Sequence, residues 1–323
     1  MPRKLARPEE LRSLITDVFG TDRSLAKLDR LAVATKKGVY RLTLDDDTTA
    51  MLYIWHPDEN FWPDRDDGGE FGDPYGLEAY VACKDRYDEA GVRTAAIYAV
   101  DNSHRHYPAD VAVVEHLPNG TLEDLLDRDP ASAGPVLDEL AGFLAAMQAL
   151  RSPQHGRIAR IAGETADQDR PPQQVVFEQA LRNLDESASS VPAIAAAHDR
   201  ITTQLYARLD AVAPRSEFSL VHGELGPDHV LLDRHGRPAL VDLEGSHFTD
   251  AESEHVFVRM RFGEHYRRLH VDGLDEARLE LYQMAMWLSL VAGPLRMVDG
   301  DHPQREFMRE IATANTARLL DSL

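Results

Sequence analysis

Residues 220–233 read LVHGELGPDHVLLD, and an apolar run a few positions later ends in Val241, Asp242, Leu243 and Glu244. Two histidines, a glutamate and two aspartates thus stand between segments whose hydrophobicity calls for burial. The stretches HVLLD and PALVDLEG, joined by Arg234, His235, Gly236 and Arg237, predict a hairpin of two apolar strands around a tight turn. Because a hairpin returns the chain on itself, Glu224 and Asp228 are expected near Asp242 and Glu244. Four carboxylates in one place repel each other unless a cation sits among them. The chemistry implied is metal binding joined to activation of a nucleophile.

Such a loop needs elements to hold it. Upstream, VYRLTL alternates, DDDTT has turn chemistry and AMLYIW is rich in β-formers, which predicts two strands and a tight turn. Residues 57–76 read as a loop, in which Phe61 and Trp62 are expected to anchor onto the sheet. GLEAYVACKDRYDEAG predicts a helix closed by Gly91, and TAAIYAVD and ADVAVVEHL two further strands. From Thr121, a suitable helix cap, the spacing becomes helical, with breaks at Pro130, Pro135 and Pro192 and with helices again after the hairpin. The expected architecture is α+β: a β-rich lobe over 1–117, a larger, mainly helical lobe over 118–323, and a ligand cleft between them.

The whole chain narrows the possibilities. Its 35 basic and 55 acidic residues give a net charge of −20 over 323 residues. That field repels nucleic acid and anionic membranes and draws in cations, although acidity also serves solubility alone. Cys83 is the single cysteine, so intramolecular disulfides and cysteine zinc sites are excluded. No run approaches the roughly 18 apolar residues of a membrane helix, and the N-terminus reads as a short amphipathic helix without signal-peptide character. A cytoplasmic protein without nucleic-acid or membrane partners is expected; its oligomeric state is not legible.

The segment from His222 to Leu231, His-Gly-Glu-Leu-Gly-Pro-Asp-His-Val-Leu, followed by Val-Asp-Leu-Glu-Gly at 241–245, resembles the catalytic and metal-binding motifs of aminoglycoside phosphotransferases and choline kinases. That family has a protein-kinase-like bilobal fold and usually reads H-G-D-x-x-x-x-N, then a hairpin, then I-D-x-x. VAVVEHLPNGTLEDLL resembles its hinge, LAAMQAL its following helix, and FTDAESEHV its segment after the metal-binding aspartate, with Asp250 and Glu254 at the usual acidic spacings. The resemblance runs from about Leu31 to Leu295.

It implies transfer of the γ-phosphoryl group of ATP or GTP, with magnesium or manganese, to an alcohol group of a small molecule. Glu224 then stands where the family has its catalytic Asp, Asp242 matches the principal metal ligand, and His229 replaces the Asn that holds a second ion. Imidazole suits magnesium poorly, so Asp228 or Glu244 would supply the oxygen instead. His222 matches a loop histidine of structural role. The backbone of Glu115 and Leu117 would meet adenine. The family's strand lysine is missing: Tyr53 or a neighbour takes its place. Lys36 and Lys37, in the turn before VYRLTL, either supply that charge or form an ordinary solvated pair. Glu78 is either the acid that pairs with such a lysine or a plain surface charge. Asp250, Glu252 and Glu264 would hold a cationic, aminoglycoside-like acceptor, as in antibiotic-resistance enzymes. Two other accounts stay open: a catalytically impaired nucleotide-binding scaffold, and a metal-dependent hydrolase, which would have no reason to keep the hinge.

Overall fold

The computed structural model describes residues 5–31, 36–60, 76–164, 166, 168–298 and 304–323. A short 3-10 turn leads into α1 (Arg12–Phe19), followed by β1 (Leu25–Arg30), β2 (Gly38–Leu44), β3 (Thr49–Trp55), α2 (Leu77–Ala90), β4 (Ile97–Asp101) and β5 (Asp110–Glu115). Next come α3 (Leu122–Arg128), α4 (Gly134–Ala149), β6 (Arg151–Ser152), β7 (Gly156–Arg157), α5 (Ile158–Ala162), α6 (Pro172–Ser190) and α7 (Pro192–Ala211). The chain continues through β8 (Phe218–Val221), β9 (Val230–Leu232), β10 (Pro238–Leu240) and β11 (His247–Thr249). It ends with α8 (Ala251–Phe262), α9 (Tyr266–Leu269), α10 (Glu276–Val298) and α11 (Arg305–Asp321). The expected anchors Phe61 and Trp62 lie outside the described residues.

Described residues up to Val136, together with Asp228–Glu244, form one compact unit; those of Leu137–Pro227 and Gly245–Leu323 form the other. In the first, five antiparallel strands run in the order β1-β2-β3-β5-β4. Alternate residues Leu42, Leu52, Ile54, Val111 and Val113 pack with Leu14 and Ile15 of α1, and all are essentially sealed from solvent. Each such side chain contributes about 1.5–3 kcal/mol by leaving water. The opposite face carries Tyr53 and Trp55, whose rings meet Tyr80 of α2. With both faces covered, β3 has no polar side to show, hence the unbroken apolar run Ala50–Trp55.

Local chemistry sets the element ends. Gly91, at φ 69, closes α2 with its amide on the Asp88 carbonyl, a left-handed cap that glycine adopts without a Cβ penalty. Thr121 caps α3 reciprocally with Asp124, each side chain accepting from the other's amide at 3.0 and 2.9 Å.

The hairpin forms as its sequence predicts, β9 against β10 with Leu231 opposite Ala239. Asp233 organises the turn by accepting from the amides of His235 and Arg237 at 2.8 and 2.9 Å. A seam then fixes the hairpin to the rest of the first unit. Leu240 donates to the Arg93 carbonyl at 2.9 Å, and Asn119 and Gly120 exchange backbone bonds with Leu232. Arg93 itself bridges Glu115 at 2.9 Å and Asp233 at 3.4 Å.

In the second unit, α6, α7, α10 and α11 enclose Phe177, Leu184, Ile201, Leu288 and Leu319. A small sheet of order β6-β8-β11-β7 lies in the same unit. Its strands of two to four residues are too short to show a period, which is why only β8 registers in the sequence as a buried run. Among the described residues, no helix is long and apolar enough to cross a membrane.

Gly38, the first residue of β2, is fixed by contact. A Cβ there would lie 2.7 Å from the Glu59 carboxyl carbon. Glu59 cannot swing away, because Tyr40 donates to it and Arg30 grips it at 2.9 and 3.0 Å. Gly38→Ala should therefore lower the urea-derived unfolding free energy by about 1–3 kcal/mol. Gly142→Ala, in α4 with open space around the added carbon, should leave it unchanged or raise it by up to about 1 kcal/mol. Equal effects at the two positions would contradict the packing account.

Candidate active site

Asp242 follows β10 immediately, in the left-handed backbone region at φ 64. Aspartate tolerates that region better than branched or bulky residues do. The unusual backbone re-aims the chain into the 3-10 turn Leu243–Gly245, and so presents Asp242 and Glu244 to one ammonium group. That ammonium belongs to Lys37. Its Nζ donates to Asp242 Oδ1 at 2.7 Å and to Glu244 Oε1 at 2.6 Å. The lysine is 7% exposed and lies 5.3 Å over the ring of Tyr53. Burial pushes its pKa down, but the two carboxylates outweigh burial and hold it above the ordinary lysine value. Burial in turn raises the Tyr53 hydroxyl to about 12 despite the neighbouring lysine, so this ring stays neutral.

Between Asp242 and Glu244 the protein thus places a cation of its own. Glu244, expected as a metal ligand, is instead Lys37's buried counter-ion, because its side chain turns inward where no bulk water screens the charge. Its Oε2 is buried and has no hydrogen-bond partner among the described residues. Among those residues no three or more His, Cys, Asp or Glu side chains converge as a metal site.

In the first unit two carboxylates nevertheless remain accessible. The Asp242 side chain is half exposed and the Asp228 side chain about a third exposed. They flank His229, whose Nε2 lies 4.0 Å from Asp242 Oδ2 and 3.9 Å from Asp228 Oδ2. The hairpin brings these residues together, with Val241 donating to the His229 carbonyl at 3.1 Å. Magnesium binds through one or two carboxylates and keeps its remaining positions for water and phosphate oxygens. An accessible aspartate pair fits that demand.

In the second unit, β8 delivers His222, Gly223 and Glu224. The amides of His222 and Gly223 both donate to Glu254 Oε2, a buried carboxylate of α8. Gly223 sits at φ 93, and a Cβ on it would come within 3.0 Å of the His247 ring. Glycine is required on both counts. Glu224 follows as an exposed residue. The brace by Glu254 is not deducible from sequence, since its spacing says nothing of which amides it meets.

The remaining expected residues divide. Glu115 donates its amide to Ala96 at 2.8 Å and turns its side chain to Arg93, so its amide is already committed; Leu117 is buried. Lys36 is partly buried, Glu78 is exposed as a plain surface charge would be, and Glu264 is exposed. Asp250 and Glu252, expected to receive a cationic acceptor, are 0% and 1% exposed. Arg215 grips both, and Arg278 and Tyr282 also donate to Asp250. Their charges are spent internally, which corrects the expectation. They brace the start of α8 instead. Beside them, Arg215, Arg151, Gln148 and Glu217 line a cavity of about 460 Å³.

With the geometry established, comparisons give it a context. The family model described as "Phosphotransferase enzyme family" matches residues 75–290. Among solved structures, a spectinomycin phosphotransferase, APH(9)-Ia, in complex with ADP and spectinomycin aligns at TM-score 0.63 and 11% identity, covering 96% of this chain and 95% of that one. A thermostable mutant of aminoglycoside phosphotransferase APH(4)-Ia, in complex with ADP and hygromycin B, aligns at 0.61 and 16%, covering 95% and 97%. LicA in complex with AMP aligns at 0.61 and 10%, covering 98% and 99%. No curated protein matches the chain. At these identities the structures establish the fold, a kinase-like one with an antiparallel sheet and a helical portion.

Two buried histidines give the second unit a pH signature. Burial, with Arg157 nearby, pushes His247 down to about 3, and burial with His270 pushes His255 down to about 4. Both stay neutral in the folded protein while the unfolded chain takes up protons near pH 6.5. Their stabilisation is therefore complete above that pH and is lost as pH falls toward 4. Partly exposed His198, raised by Asp185, opposes this weakly. Urea unfolding should show a loss of about 3–4 kcal/mol between pH 7 and 5, and His247→Gln should remove about half of it. A flat profile would contradict the assignment.

Proposed function

The chain belongs to the phosphotransferase enzyme family, and from that premise we propose that it is an ATP-dependent small-molecule kinase that phosphorylates a hydroxyl group. The observation that carries this reading is the pairing of a buried, permanently charged Lys37 with a half-exposed Asp242. Phosphoryl transfer asks a protein mainly to position groups and offset negative charge, and an ammonium beside an accessible carboxylate supplies both signs.

In this mechanism Asp242, with Asp228, would hold a divalent ion, which when bound neutralises phosphate charge. Glu224 accepts the proton of the acceptor hydroxyl. The acceptor oxygen forms its bond to the γ-phosphorus as the bond to the ADP oxygen breaks. The clamp of Glu254 on the amides of His222 and Gly223 fixes the backbone that carries Glu224, so the base needs little reorganisation. Leu117 would offer backbone to the purine; Glu115 has only its carbonyl left for that purpose.

For the acceptor, the net charge of −20 favours a small cationic polyol, which the field would concentrate around the protein. The aligned structures with hygromycin B and spectinomycin support a search among aminoglycosides and related hydroxylated amines. Exposed Glu264 is available for such a ligand; Asp250 and Glu252 are not.

A coupled assay of ADP release, with phosphorus NMR of the acceptor, tests the proposal across such compounds with ATP or GTP and magnesium or manganese. The expected result is an acceptor phosphate ester. Asp242→Asn and Glu224→Gln should each lower turnover by about a hundredfold or more. Phosphate release without an acceptor ester would point to a hydrolase, and no turnover with any combination would point to a scaffold.

A further inference from the structure

Lys37 is the charged group of this site that neither its strand nor its helix neighbours explain. Of the chain's five lysines, Lys4 is outside the described residues. Lys27 and Lys84 sit in ion pairs with Asp29 and Asp88, residues of their own local segments. Lys37 reaches across more than 200 residues of sequence, to Asp242 and Glu244.

The sheet register shows how it gets there. Gly38 pairs with Ile54 and Val39 with Tyr53, so the residue entering β2 stands beside the C-terminal end of β3. From that turn Lys37 places its ammonium over the Tyr53 ring, on a strand that carries no cation of its own. An ammonium has three donors. Two are taken by Asp242 and Glu244, and no further acceptor is seen among the described residues. The two acceptors also differ. The Glu244 side chain is 10% exposed, and the thiol of Cys83 in α2 donates to its carbonyl oxygen; the Asp242 side chain is 50% exposed. Glu244 is the anchored partner and Asp242 the open one.

We infer that Lys37 contacts the nucleotide's phosphates and that Glu244 and Tyr53 position it, so that the site draws its phosphate-binding charge from the turn before β2 and that charge's counter-ion from the segment after Asp242. This rests on the kinase reading and deepens it. With a metal-bound triphosphate in place, Asp242 would be the residue that holds the ion, the third donor of Lys37 would contact phosphate oxygen, and Glu244 would keep the lysine in place. Tyr53 forms a floor that excludes water beneath the ammonium, which strengthens each remaining charge contact. Glu244 acts through Lys37 and is a positioning residue.

The test is isothermal titration of the full-length protein with ATP–magnesium and, separately, with adenosine, which has no phosphate. Lys37→Gln should weaken ATP–magnesium binding about ten- to a hundredfold and leave adenosine affinity within about twofold. Glu244→Gln should produce a smaller loss of the same selective kind. Lys37→Gln/Glu244→Gln leaves no buried charge without a partner and keeps the test open if a single variant fails to fold. Lys37→Gln/Tyr53→Lys, which returns an ammonium to the same spot from the strand, should recover part of the ATP affinity. Unchanged ATP binding in folded Lys37→Gln, or equal losses for ATP and adenosine, would overturn the inference while leaving the kinase reading intact. A wild-type protein that binds neither ligand would overturn both.

Discussion

A lysine ammonium removed from water between two carboxylates is the constraint on which the first unit is organised. Such a cluster is tolerable only when every partner is in place, because an uncompensated buried charge costs about 3–5 kcal/mol. Holding Lys37 at 2.7 and 2.6 Å from Asp242 and Glu244 therefore requires that the hairpin be seated, that Asp242 accept a left-handed backbone, and that the turn before β2 be fixed. Each demand has its own device. Arg93 and the Asn119–Gly120 segment seat the hairpin, the 3-10 turn at Leu243–Gly245 aims the two acids, and Glu59 packs against Gly38. The strain at Asp242 is sustained by the ion pair that it makes possible.

The second unit meets its demands by the same means, with carboxylates serving as internal braces. Glu254 gathers two consecutive amides of the loop that carries Glu224, while Asp250 and Glu252 draw Arg215 and Arg278 onto the start of α8. These acids are buried, and each accepts hydrogen bonds from within its own unit. The open acids, Asp228, Asp242 and Glu224, are the ones that phosphoryl transfer would use. Burial separates structural from chemical carboxylates in a chain that has 55 acidic residues to choose from.

That separation also marks where the sequence stops being informative. The hairpin, the Thr121 cap, the Gly91 stop and the helix break at Pro192 were legible because their causes are local: turn residues, capping side chains and period. The family was legible because the loop and the hairpin keep their spacing. Partnerships were not. Asp250 looked like a receptor for cations, yet it is neutralised by arginines 35 residues upstream and 28 downstream, and no pattern announces that. Glu244 looked like a metal ligand because it stands two positions from Asp242, and only the fold shows that Lys37 reached it first. The turn lysines could be flagged as candidates for the missing charge, but the choice of Lys37 required the β2–β3 register.

The most direct test of this ion-pair cluster needs no ligand. In a double-mutant cycle of Lys37→Met and Glu244→Gln, followed by urea unfolding at pH 7, each single change should lower stability. The double change should cost less than the sum of the two, with a coupling of about 2 kcal/mol or more. Additivity within about 0.5 kcal/mol would show that the two side chains do not hold each other, and would contradict the account.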